Sequence, residues 1–319
     1  MKILYTPLMI VPSLGEGDRA RILASAGPGA RLVEAREVDR QRAEIPDADV
    51  LFGRVPNDVY LNARRLRYYH SIGAGVDAIL SHELVESDVI VASEKGQVGV
   101  HLAEHAFALL LGLTRGLHTA LRRNDWTLRE PIRREQRELY EQTMGILGLG
   151  GTGRDVARRA LAFGMRVLAV DIEDVPAEPG VTLWKTDRLH DLLAESDVVV
   201  IALPLTKATH HLFTRDLFRR MRRHAILINV TRGAIVYGED LARALDEGLI
   251  WGAGLDVTDP EPLPPGHPFW THPRVIVTPH TAGGSPRRAG RAIDTFVENL
   301  RRLREGRPLL AVIDKRKGY

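Results

Sequence analysis

The sequence predicts an α/β protein built from two doubly wound parallel-sheet domains. Three observations carry that expectation. Short apolar runs bounded by turn residues alternate with helical segments along most of the 319 residues. Two glycine-bearing links, at residues 94–99 and 283–284, divide the chain. Residues 143–171 read as strand, turn, helix and strand around a glycine cluster.

Composition narrows the class. A hydrophobic share of 44% and a charged share of 27% suit an ordinary soluble globular protein long enough for two cores. The net charge is only +3, and the arginines are spread along the chain instead of clustered into the basic stripe of a nucleic-acid surface. Without cysteine there is no disulfide, thiol nucleophile or cysteine metal site. Residues 1–14 are apolar but broken by Pro7 and Pro12, which reads as a first strand and not a signal peptide. Residues 102–121 contain Glu104, His105, Arg115 and His118, so their uncharged run falls short of the ~18 residues of a membrane span. The expectation is a cytoplasmic protein that binds neither nucleic acid nor membrane.

In chain order, Ile3, Leu4 and Tyr5 open the first strand, and residues 17–26 form a helix stopped by Gly27-Pro28-Gly29. Residues 31–35, 50–52, 68–72 and 89–92 are further strands. Arg54 and the run Gly73-Ala74-Gly75 stand at strand ends, where ligands of open α/β sheets gather. Residues 100–122 read as one helix, apolar around most of its surface, that must be buried between domains or against another subunit. Residues 124–142 read as a polar surface excursion. Trp126 and Trp270 are assigned packing roles.

In the central unit Gly148, Gly150 and Gly153 have the G-x-G-x-x-G spacing. Gly148 permits a tight turn, Gly150 lets a pyrophosphate approach the backbone, and Gly153 brings the helix close to the strand. The next strand ends at Asp171, close to the ~20 residues expected before an acid that holds a ribose hydroxyl. After a loop at 172–179, strands are expected at 198–202, 226–230, 252–257 and 275–278, and helices at 189–194, 217–221 and 240–247. Residues 287–305 form a last amphipathic helix. Strand ends carry three ionisable residues: Arg232, Glu261 and His280. His210 and His211 invite a metal reading, but adjacent residues of one strand point opposite ways and no third ligand is evident, so no metal site is expected. His267 and His272 read as solvated.

The runs TMGILGLGGTG, LAEHAFALLLGLTRGL, SDVVVIALPLTKATHHLF, LINVTRGAIV, GLDVTDPEPLP and VIVTPHTAG resemble the D-isomer-specific 2-hydroxyacid dehydrogenases, and the resemblance runs through essentially the whole chain. It implies a flavodoxin-like substrate-binding domain of residues 1–95 plus 286–319, a Rossmann NAD-binding domain of residues 96–285, and a cleft between them. It also implies NAD(H) as cofactor and a homodimer. Cofactor contacts would fall on Gly148, Gly150, Gly151, Thr152, Gly153, Asp171, Pro204, Thr209 and Val230, with Asp256 on the nicotinamide amide. Ala74 and Gly75 would offer N–H groups to a substrate carboxylate, with Arg54 and Ser285 further candidates on that side.

The three strand-end residues also fit physically. Arg232 offers a planar, permanently charged fork to a carboxylate. Histidine is the side chain that titrates nearest neutrality, so His280 suits a general acid in reduction. Glu261 would fix the imidazole tautomer and favour its protonated form. The expected activity is NADH-linked reduction of a small 2-oxo acid, glyoxylate or hydroxypyruvate. The alternatives are an NAD(H)-sensing corepressor-like binding protein, a phosphoglycerate dehydrogenase and a formate dehydrogenase. Against the last two stand Ala78, where phosphoglycerate dehydrogenases usually have asparagine, and the absence of a regulatory domain or a long N-terminal extension. The segment Leu139-Tyr140-Glu141-Gln142 departs from the family's usual leucine-x-glycine-lysine turn, and Gly151-Thr152 replaces the usual bulky residue before the third glycine.

Overall fold

Strands of three to five residues form two parallel sheets in this computed structural model, which describes residues 1–123 and 125–319. Asn124, the first residue of the expected surface excursion, lies outside the described residues. The chain separates into two units: Met1–Val98 with Gly284–Tyr319, and Gly99–Gly283.

The first unit contains β1 (Lys2–Tyr5), β2 (Arg31–Glu34), β3 (Val50–Gly53), β4 (Tyr68–Ser71) and β5 (Ile90–Ala92), ordered β2-β1-β3-β4-β5. That is the flavodoxin-like order. Side chains alternate between two cores. Ile3, Tyr5, Val50, Phe52 and Tyr68 face a core completed by Ala292, Phe296 and Leu300 of the helix Arg288–Glu305, whereas Leu4, Leu51, Tyr69 and Val91 face the other. Phe296 stacks on Phe52 with ring centres 4.1 Å apart. Beneath this stack Asn299 Nδ2 donates to the Tyr68 hydroxyl at 2.9 Å, which leaves that hydroxyl to donate to His70 Nδ1 at 2.6 Å. Burial pushes the Tyr68 hydroxyl up and the His70 imidazole down to about 3, so His70 is neutral.

The second unit contains β6 (Thr143–Leu147), β7 (Arg166–Val170), β8 (Val181–Trp184), β9 (Val198–Ile201), β10 (Ile226–Asn229), β11 (Gly252–Leu255) and β12 (Val275–Val277), ordered β12-β11-β10-β9-β6-β7-β8. The arrangement is the doubly wound dinucleotide-binding order with one further strand. Every pair is parallel, and both faces are covered by apolar cores.

Several elements differ from the sequence reading. Strand β8 lies at the sheet edge and is only half-buried, so it lacks the apolar run that marks the inner strands. Residues 100–122 are two helices, Gly99–Thr114 and Leu117–Arg122, separated where Gly116 takes a φ of +68°. The first is buried within its own unit: Ala103, Phe107, Leu110 and Leu113 share a core with β6, β9, β10 and the helix Gly151–Ala162. Most of its apolar surface is therefore covered by its own sheet and that helix, while Val100 remains 41% exposed. The polar excursion holds a short turn of helix, Trp126–Leu128, and a helix, Arg129–Glu135, and Trp126 is 88% exposed instead of packed. No helix among the described residues is long and apolar enough to cross a membrane.

Candidate active site

The register of the second sheet levels its strand ends. Val170, Leu147, Ile201, Asn229, Leu255 and Val277 are successive partners across β7, β6, β9, β10, β11 and β12. The next residue of each strand, Asp171, Gly148, Ala202, Val230, Asp256 or Thr278, thus starts a loop at one common edge. Arg232 follows β10, Glu261 follows β11 and His280 follows β12, and these three strands are neighbours.

Two glycines let the β10 and β11 loops touch. A Cβ on Gly233 would lie 1.9 Å from the Thr258 carbonyl oxygen, and one on Gly238 would lie 2.5 Å from that of Asp259. Just before them, the buried Asn229 donates to the Arg232 carbonyl at 2.9 Å and accepts the Thr231 N–H at 3.1 Å, which fixes the turn that presents Arg232. The Arg232 Nη1 donates to the Thr231 carbonyl at 2.8 Å.

His280 has a φ of +52°, a conformation that costs a non-glycine residue roughly 1–2 kcal/mol. Its N–H donates to the carbonyls of Asp256, at 2.8 Å, and Thr278, at 3.0 Å. Its Nδ1 lies 2.5 Å from Glu261 Oε1, and both side chains are partly open to solvent. The Asp256 carboxylate braces the same loop: Oδ1 accepts the Thr278 hydroxyl at 2.6 Å and the Thr281 N–H at 2.8 Å, and Oδ2 accepts the Ala282 N–H at 2.9 Å. Burial works to raise its pKa, but hydrogen bonds from His105, Thr278 and the Ala282 and Thr281 amides outweigh it and hold the carboxyl at about 2. The Asp256 side chain is fully buried and braces the loop through these partners. His105 lies with Nε2 2.8 Å from the Thr278 hydroxyl and 3.3 Å from Asp256.

The glycine turn fits a dinucleotide. Gly148 has a φ of +89°, and a Cβ on it would lie 2.8 Å from the Ala202 carbonyl oxygen. A Cβ on Gly153 would lie 2.0 Å from the Gly148 carbonyl oxygen, whereas one on Gly150 would meet nothing within 4 Å. The backbone is therefore tight on the protein side and open at Gly150, where a pyrophosphate would approach. The helix begins at Gly151-Thr152 with no side-chain cap from Gly150, and its first N–H groups suit an anion. Asp171 accepts the Leu149 N–H at 2.7 Å and the Glu173 N–H at 2.9 Å, which fastens the turn to the end of β7. Beyond β9, the Thr209 hydroxyl donates to the Pro204 carbonyl at 2.7 Å and accepts the Thr206 N–H at 2.8 Å, which closes a turn at the same edge.

The remaining candidates lie in the first unit. Arg54 follows Gly53, whose φ is +131° and whose missing Cβ makes room for Thr6; its guanidinium is exposed and donates to the Ala78 carbonyl at 3.2 Å. Gly73 accepts the Glu94 N–H, and the Ala74 carbonyl accepts the Ser93 hydroxyl at 3.4 Å. Glu94 is almost fully buried and pairs with Arg288 at 2.6 Å, three residues beyond Ser285.

The other histidines correct the sequence reading. His210 and His211 lie in a turn, not a strand, and their rings approach to 3.9 Å instead of pointing apart. His267 and His272 are half-buried and accept the N–H groups of Phe269 and Arg274. Among the described residues no group of three His, Asp or Glu side chains is arranged to hold a metal ion.

Comparison with known proteins agrees with this geometry. The profile of the D-isomer specific 2-hydroxyacid dehydrogenase NAD binding domain matches residues 107–282. A glyoxylate reductase of Korarchaeum cryptofilum is 35% identical over 82% of this chain and 81% of its own length. The structure of an NADPH-dependent glyoxylate/hydroxypyruvate reductase of Sinorhizobium meliloti, with NADP and sulfate, superposes with a TM-score of 0.82 at 29% identity and covers 100% of both chains. A D-isomer specific 2-hydroxyacid dehydrogenase of Xanthobacter autotrophicus, with NADPH and MES, gives a TM-score of 0.82 at 30% identity over 99% of both chains. With the glycine turn, the levelled strand ends and these matches together, the chain belongs to the D-isomer specific 2-hydroxyacid dehydrogenase family, oxidoreductases that act on a CH–OH group with a nicotinamide dinucleotide.

Proposed function

We propose that this enzyme reduces a short polar 2-oxo acid, glyoxylate or hydroxypyruvate, with NADH, and that His280 supplies the proton. The observation that carries the reading is the placement of Arg232 and the Glu261–His280 pair at the ends of three adjacent strands, on the edge that holds the glycine turn. Arg232 binds the substrate carboxylate and polarises the ketone. The bound dinucleotide supplies a hydride. Glu261 occupies Nδ1 of His280, so the proton on Nε2 is the one that passes to the developing alkoxide oxygen. In the first unit, the N–H groups of Ala74 and Gly75 offer the substrate donors with little bulk, and Arg54 and Ser285 are further contacts. Residues 1–98 with 284–319 serve the substrate, and residues 99–283 serve the cofactor.

The preference for NADH over NADPH rests on charge. Asp171 is followed by Glu173 and Asp174, and Lys185, the cation beside them, is already paired with Asp174 at 2.6 Å. A ribose 2′-phosphate would add nearly two negative charges there. The enzyme is further read as a homodimer, with Leu117 (51% exposed), Leu121 (80%) and Trp126 offering apolar surface on the second unit. A specificity-constant panel of glyoxylate, hydroxypyruvate, pyruvate, phosphohydroxypyruvate and 2-oxoisocaproate, run with each cofactor, tests the reading. Preference for 2-oxoisocaproate would overturn the substrate class, and equal or better constants with NADPH would overturn the cofactor assignment. An unchanged panel in Arg54→Ala would remove Arg54 from the site.

A further inference from the structure

His211 is a non-glycine residue at a φ of +49°, at the end of the turn that begins at Pro204. Few side chains settle in that region unless the surroundings hold them there. Its surroundings are specific. The His211 N–H donates to the Ala234 carbonyl at 2.7 Å, and the Phe213 N–H donates to that of Ile235 at 3.0 Å, so this segment is laced to the one that begins at Arg232. The imidazole lies against His210 and Tyr237, with ring centres 3.9 Å and 5.0 Å away. Its Nε2 lies 2.7 Å from Asp259 Oδ2.

Asp259 is two residues from Glu261, with only Pro260 between them, and Pro262 follows. Pro260 fixes its own φ and Pro262 restricts the backbone of Glu261, so few free torsions separate Asp259 from Glu261. The same stretch is held by the Thr258 hydroxyl, which donates to the Pro260 carbonyl at 2.9 Å, and by the close fit of Gly238 under Asp259. The His211–Asp259 bond thus joins three loops of the active edge: the turn after β9, the Arg232 segment after β10 and the Glu261 loop after β11.

We propose that His211 is a positioning residue for the Glu261–His280 pair, acting through Asp259. The inference rests on the catalytic reading of that pair, and its test has one arm that does not depend on turnover. In the first arm, the side-chain nitrogen shifts of His280 are recorded at fixed pH by 15N NMR in wild type, His211→Gly, Asp259→Ala and Glu261→Gln, with His280→Gln for assignment. Glycine relieves the positive φ, so His211→Gly removes the imidazole without backbone strain. The His280 Nδ1 shift is expected to move in His211→Gly and Asp259→Ala in the direction seen in Glu261→Gln. A shift unchanged from wild type overturns the proposal whether or not the protein reduces any 2-oxo acid.

In the second arm, kcat is expected to fall roughly tenfold to a hundredfold in His211→Gly, with KM for NADH and for glyoxylate within about twofold of wild type. Asp259→Asn, which keeps an acceptor for the imidazole, is expected to retain most of the wild-type rate. In a Glu261→Gln background His211→Gly is expected to add nothing, because the two act on one step. An equal loss in both backgrounds, or a rise in KM for NADH at constant kcat, overturns the proposal. Failure of wild type to reduce any 2-oxo acid, with the NMR effect intact, would count against the catalytic reading and leave the positioning role standing.

Discussion

His280 presents its Nδ1 to Glu261 Oε1 at 2.5 Å from a left-handed backbone position held by the Asp256 carbonyl. The carboxylate takes the Nδ1 hydrogen bond, which orients the ring and leaves Nε2 to face the reacting oxygen. Glu261→Gln is therefore expected to lower kcat for reduction by roughly 10²-fold, the lower end of a general acid–base contribution, with NADH affinity unchanged. Steady-state rates with glyoxylate check this; wild-type turnover in Glu261→Gln would separate Glu261 from proton transfer.

Asp256 should carry stability as well as geometry. Asp256→Asn leaves a single oxygen for the Thr278, Thr281 and Ala282 donors and is expected to cost about 1.5–3 kcal/mol, the range for hydrogen bonds to a charged group. The sign with pH follows from its depressed pKa of about 2. The folded state favours the ionised form, so this contribution is present above the ordinary carboxylate range near 4 and is lost as pH falls toward 2. Urea unfolding of the two proteins should therefore converge over that interval.

His70 predicts an acid sensitivity in the first unit. Its folded pKa is pushed down from 6.5 to about 3 by burial, so between those values the unfolded chain takes up a proton that the folded chain does not. Stability contributed by the neutral imidazole is present above pH 6.5 and falls by up to about 1.4 kcal/mol per pH unit below it. Hydrogen exchange of the β4 amides should show that slope in wild type. In His70→Leu the baseline is lower, because Tyr68 loses its acceptor, and the His70 part of the slope is absent.

Glu141 stands where the family usually has glycine, and its φ is +62°. The left-handed position costs a non-glycine residue about 1–2 kcal/mol, and glycine loses about 0.5–1 kcal/mol in unfolded-state entropy. Glu141→Gly should therefore stabilise the protein by up to about 1 kcal/mol. A melting temperature raised by roughly 2–4 °C checks it, and a lowered one would show that the Glu141 side chain outweighs the strain.

The parts of the site legible in sequence are those whose cause is local. Gly148, Gly150 and Gly153 each answer a steric demand within a few residues, and the apolar runs of β9 and β10 declare strands buried on both faces. The Glu261–His280 pairing was reached through resemblance and chemistry, and the levelled register of β11 and β12 supplies its geometric reason. What stayed hidden depends on distant closures. His105 meets Thr278 across 173 residues, and His211 meets Asp259 across 48, with nothing in either neighbourhood to announce the partner. Strand β8 carries no such signal, because an edge strand with one open face needs no apolar run. The helix expected over residues 100–122 breaks at Gly116, and its first part, Gly99–Thr114, packs largely on its own sheet and the helix Gly151–Ala162, a closure that its apolar run alone does not announce.

The most direct test of the central claim is the rate of NADH oxidation with glyoxylate and hydroxypyruvate in wild type and His280→Gln, with NADH binding measured separately by fluorescence. The expected result is turnover by wild type and a loss of roughly 10²–10⁴-fold in kcat for His280→Gln at unchanged NADH affinity. Wild-type turnover in His280→Gln would contradict the assignment of the proton to His280.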